Sequence, residues 1–147
     1  MKIRWLTLSV LLFSTQLSAV TLDEIFVGIK TCSFKDFQFV PDDPQQTHPY
    51  LIGREPTPAS DKFQYYFKVY DALFGLPVVE VSVPGTWVFH SVTFDVPLVK
   101  AREVLRKKFG TPFPSSKQSL AGKVPALEAS ASNPNQSVLY CAERDEE

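Results

Sequence analysis

Apolar and polar side chains alternate along residues 63–73, a period of two that marks the segment as a half-buried β-strand. Phe63, Tyr65, Phe67, Val69 and Leu73 point one way, and Gln64, Tyr66, Lys68 and Tyr70 the other. Gly75 and Pro77 then signal a turn, residues 78–83 a second strand, Pro84 and Gly85 another turn, and residues 87–96 a third strand. Such short connections join antiparallel neighbours, because a parallel pair needs a crossover of about a dozen residues or more. In the third strand Val88, His90, Val92, Phe94 and Val96 share one face, and Trp87, Phe89, Ser91, Thr93 and Asp95 the other.

Two helical patterns flank this meander. Over residues 21–32, Thr21 and Glu24 have the spacing of a capping box, and Leu22, Ile25, Phe26, Ile29 and Cys32 form one apolar stripe. Pro97 suits the first turn of a second helix that runs to Phe109, with Gly110 positioned to end it. Leu98, Ala101, Val104, Leu105 and Phe109 face inward, while Arg106, Lys107 and Lys108 place positive charge at the end of the helix dipole. Two weaker strands, residues 126–131 and 137–142, make a hairpin around Asn133, Pro134 and Asn135, and residues 143–147 form a solvated acidic tail. No internal repeat is visible. The order predicts an α+β fold: an antiparallel β-sheet of about five strands with two α-helices packed largely on one face.

The chain has 147 residues, and its first 19 have the layout of a secretory signal: a basic start at Lys2 and Arg4, a short apolar run, and a small residue, Ala19, at the cleavage point. The apolar run is too short and too interrupted to span a bilayer, and no later run approaches the length of a transmembrane helix. Residues 20–147 are thus expected to form a single domain, periplasmic or secreted. Its two cysteines, Cys32 and Cys141, are expected to be bridged in an oxidising compartment, with two separate buried thiols as the competing arrangement. The overall charge of −1 becomes −3 when Lys2 and Arg4 leave with the signal, which argues against a nucleic-acid binder.

No pattern for catalysis stands out. There is no Gly-x-Ser-x-Gly elbow and no glycine-rich phosphate loop, so no catalytic residue is assigned and no cofactor is expected. His48 and His90 lie far apart without a third ligand at local spacing, so no metal site is assigned either. His90, between Val88 and Val92, reads as a hydrogen-bonded core or edge histidine. Residues 41–58 are rich in proline and read as a long surface loop, in which Asp42 and Asp43 mark a turn and His48 lies nearby.

The aromatic content suggests binding. Tyr66 and Tyr70 form an exposed platform unless the C-terminal hairpin or the long loop folds over them. The expected partner is another protein, met through Tyr66, Tyr70, Asp42, Asp43 and His48. The first expectation is an inhibitor or immunity factor against a secreted or envelope hydrolase. An accessory envelope protein without catalytic activity, and a small ligand carrier or hydrolase, are the alternatives.

Overall fold

A computed structural model describes residues 20–34, 36–86, 89–115 and 125–142. The expected signal sequence (residues 1–19), Trp87, Val88 and the expected acidic tail (residues 143–147) lie outside the described residues. The expected fold class is present: one five-stranded antiparallel sheet and two helices.

The first helix starts as predicted. The Thr21 hydroxyl accepts from the Glu24 amide at 3.3 Å, and the Glu24 carboxylate accepts from the Thr21 amide at 2.8 Å. Only Leu22–Ile25 is α-helical (α1), however, and Phe26–Thr31 tightens into a 3₁₀ turn where one α-helix was expected. The reason lies at its end. Cys32 takes the left-handed conformation, its amide donates to Ile29 O, and the Ser33 amide donates to Gly28 O. This is a Schellman closure built without glycine at the left-handed position. It winds the last turn tightly, and Gly28, a weak helix former, is the residue that allows it, since a Cβ there would meet Ser33 O at 2.2 Å. The apolar stripe survives, with Leu22, Phe26, Ile29 and Cys32 all buried.

The strands are β1 Gln64–Leu73, β2 Leu76–Pro84, β3 Phe89–Phe94, β4 Ala126–Ala129 and β5 Ser137–Ala142. Their order is β1-β2-β3-β5-β4, every neighbouring pair antiparallel. Phe74 and Gly75, both with positive φ, make the two-residue link between β1 and β2. β4 stops at Ala129, two residues earlier than expected, because the Ser130 amide donates to Gln136 O and Asn133 closes the turn onto the Gln136 amide. Helix α2, Leu98–Phe109, has Pro97 at its N-cap, one place before the first turn, and ends at Gly110 in the left-handed conformation.

The inner face of the sheet carries Phe67, Val69, Val81, Val92, Phe94, Leu127, Leu139 and Cys141, all buried beneath α1, α2 and the segment from Phe34 to Leu51. Within residues 41–58, expected as a surface loop, most positions are exposed, and Thr47, Tyr50 and Leu51 are the buried ones that join this layer. Phe39 packs edge-on against Tyr65 and Phe67, Phe37 and Leu51 are buried, and Pro49–Leu51 forms a 3₁₀ turn. Phe37 and Phe39 precede the first proline of that loop, and each buries a large apolar area. The Tyr50 hydroxyl donates to the Asp71 carboxylate at 3.0 Å and ties this layer to β1.

Cys32 and Cys141 form a disulfide between the end of the first helical segment and the inner face of β5. Two residues of the expected 63–73 strand depart from simple alternation: Phe63 precedes β1 and is 37% exposed, whereas Gln64 is buried.

Candidate functional site

The outer face of the sheet is the side opposite the helices, and the register defines it. Residues directly opposite in adjacent strands share a face, so pairing from strand to strand gives a first row of Tyr66, Ser82, Ser91, Tyr140 and Ala126. The second row is Lys68, Glu80, Thr93, Val138 and Glu128. In the first row two tyrosines flank two serines.

On this face lies an open trough of about 690 Å³. Tyr66, Lys68 and Tyr70 form one wall, the 130–132 loop and Gln136 the other, and Glu80, Ser91 and Thr93 lie between. Ser91, which lines the trough, ends a polar chain that runs across the neighbouring strands: the Gln64 amide donates to the Ser82 hydroxyl at 2.8 Å, which in turn shares a hydrogen bond with Ser91. Each member is buried, so the bonds replace the water these groups lose. Among the described residues the face is left open. The C-terminal hairpin extends the sheet edge-on, and the segment from Phe34 to Leu51 packs on the inner side.

Tyr70 is 96% exposed, while Tyr66 is half-buried. The difference comes from the β-bulge between Lys68 and Asp71, which carries Tyr70 beyond the regular pairing. The Tyr66 backbone is fixed on both sides, since on its outer edge its carbonyl accepts from the Thr57 amide at 2.7 Å and its amide donates to the Ser60 hydroxyl at 2.9 Å. Burial, and then the charges of Glu80 and Asp61, push the Tyr66 phenol above its ordinary pKa. Burial also pushes the Glu80 carboxyl up, against the opposing effect of Lys68.

Asp42, Asp43 and His48 lie in the layer that covers the inner face and are not brought together with the tyrosines. Asp42 occupies a left-handed turn position. The Asp43 carboxylate accepts from the Gln45 and Gln46 amides at 3.0 and 3.2 Å and from the Gln46 side chain at 2.6 Å; this last bond contributes most to holding its pKa below the usual range. His48 Nδ1 accepts from the Tyr50 amide at 3.2 Å and caps the 3₁₀ turn, and its ring meets Phe37 edge-on. Asp42 and Asp43 border a small cleft of about 130 Å³ beside Arg54, whose guanidinium is held over the Tyr50 ring.

His90 lies on the inner face, where its Nε2 donates to Phe37 O at 2.7 Å and its ring packs on Phe34 and Phe37. Its buried Nδ1 has no hydrogen-bond partner among the described residues. Among the described residues no group of three or more His, Cys, Asp or Glu is placed to hold a metal ion, and no helix is long and apolar enough to cross a membrane.

Sequence reasoning singled out Tyr66 and Tyr70 but missed Glu80, Ser91 and Thr93, which line the trough with them. A partial signal was present: on β2 and β3 the residues alternating with the buried valines are Glu80, Ser82, Ser91 and Thr93, all polar. No family profile, curated protein or solved structure matches the chain.

Proposed function

We propose that the protein is exported and binds another protein through the outer face of its sheet, acting stoichiometrically as an inhibitor or immunity factor against a secreted or envelope hydrolase. The observation that carries this reading is the open trough walled by Tyr66 and Tyr70, opposite an inner face that is fully packed. Tyrosines at such a surface supply large contact area for little loss of rotamer freedom, and the pinned backbone of Tyr66 lowers the ordering cost of binding further. The signal-like N-terminus and a disulfide compatible with an oxidising compartment support export. The interface is drawn around Tyr66 and Tyr70, because Asp43 and His48 use their acceptors within their own loop.

The test is affinity capture from an envelope extract with the unmodified protein and with a Tyr66→Ala/Tyr70→Ala variant of matched thermal stability. The reading expects one hydrolase to be retained at equimolar ratio, inhibited on binding, and lost with the variant. Retention undiminished by the variant refutes this interface, and capture of an envelope-assembly protein in place of a hydrolase assigns the accessory role.

A further inference from the structure

Glu80 is the anomalous group of the outer face. It borders the trough from the second strand, with Lys68 opposite on the edge strand and Thr93 on the other side. Its side chain is half-buried, yet no hydrogen bond or ion pair among the described residues reaches its carboxylate. Lys68 acts on it through the electrostatic field and forms no ion pair with it. By contrast Gln64, Ser82 and Ser91, buried on the same face of the sheet, are hydrogen-bonded. A carboxylate that gives up part of its hydration without a donor in return is destabilised, and an incoming cation with N–H donors relieves it.

The surroundings narrow the cation. Tyr66 stands close enough to Glu80 for the carboxylate's charge to act on its phenol, and Tyr70 adds a second ring on the same wall. A guanidinium is planar, presents paired donors to a carboxylate, and stacks on aromatic faces, whereas an ammonium is more strongly hydrated and has no plane to stack. The trough volume of about 690 Å³ accommodates the side chain together with the backbone that carries it. We propose that the trough receives an arginine side chain from the protein partner, its guanidinium paired with the Glu80 carboxylate and stacked against the Tyr66 ring. This assignment rests on the protein-binding reading above and specifies its chemistry.

The probes are three blocked tripeptides, Gly-Arg-Gly, Gly-Lys-Gly and Gly-citrulline-Gly, titrated into the full-length oxidised protein and followed by heteronuclear NMR. Citrulline keeps the shape of arginine and removes the charge. The arginine peptide is expected to shift resonances of Tyr66, Glu80 and Thr93 saturably, and to bind about tenfold tighter than the citrulline peptide. Glu80→Gln should remove that difference while leaving the melting temperature in place, and Glu103→Gln, an exposed carboxylate on α2, should not remove it. The assignment is overturned if the arginine and citrulline peptides bind equally, if no saturable shift appears, if the shifts map elsewhere, or if Glu80→Gln leaves the preference intact. Equal binding of the lysine peptide overturns the guanidinium specifically. If the probes fail while the tyrosine variant still loses its captured partner, the arginine assignment falls and the protein-binding surface stands.

Discussion

Reduction of the Cys32–Cys141 bridge tests how this fold holds its C-terminal strand to its first helical segment. The two cysteines are 109 positions apart, and opening a loop of that length returns to the unfolded chain an entropy of about 16 cal/mol/K. At 25 °C this corresponds to about 4.8 kcal/mol, set against a typical domain stability of about 5–15 kcal/mol. The folded state should lose little by comparison, because both sulfurs are buried in apolar surroundings and a buried thiol behaves as a small hydrophobe. The effect therefore resides mainly in the unfolded ensemble. For roughly 125 folded residues it predicts a melting temperature about 15–20 °C lower after reduction. The assay is equilibrium urea unfolding of the oxidised protein and of the protein held reduced, with intact mass after alkylation confirming that two thiols become reactive only on reduction. A stability difference below about 1 kcal/mol would refute the reasoning, since loop closure would then contribute almost nothing. Alkylation without reductant would refute the bridge itself.

Three further outcomes follow from the packing. Phe67→Ala removes a fully buried ring that packs against Phe39, and should destabilise by about 3–5 kcal/mol in denaturant unfolding, whereas Tyr70→Ala should stay within about 0.5 kcal/mol of the unmodified protein. Gly85→Ala should lower stability by about 1–3 kcal/mol in the same measurement, because its Cβ would lie 2.4 Å from the Lys62 carbonyl oxygen in the turn where Gly85 and Thr86 donate to Phe63 and Lys62; an unchanged midpoint would show that this turn yields freely. Both histidines hold Phe37 and must be neutral to do so. A proton on His48 Nδ1 abolishes its bond from Tyr50, and one on His90 Nδ1 creates a buried donor without an acceptor. Burial lowers both pKa values, partly countered by Asp36 at His48 and by the Phe37 carbonyl at His90. Unfolded histidines therefore take up protons before folded ones. The stability they contribute is complete above about pH 6.5 and declines as pH falls from there toward the folded values. Unfolding free energies measured from pH 8 to pH 5 should fall, and a flat profile would contradict the arrangement.

Local pattern was sufficient for much of this fold. The alternation of residues 63–73, the capping box at Thr21 and Glu24, the turn at Asn133–Asn135 and the stop at Gly110 all depend on interactions within a few residues, so the side chains involved encode them directly. The cysteine pairing was legible for a different reason, since a chain with two cysteines has a single pairing within itself. The tightening of the first helix into a 3₁₀ turn was not legible, because the closing position is Cys32, a residue that by itself does not favour the left-handed conformation it takes where this segment is bonded to β5. Nor was the role of the segment from Phe34 to Leu51: prolines predict the absence of regular structure, but whether Phe37, Phe39 and Leu51 are covered depends on a sheet formed later in the chain. The trough belongs to the same class. Alternation shows that Tyr66 and Glu80 leave the core, yet their meeting with Thr93 and with Tyr140 follows from cross-strand register and from β5 pairing with β3 ahead of β4. Period two assigns each side chain to one of two faces; what covers a face, and which residues become neighbours across it, is settled by contacts between segments distant in the chain.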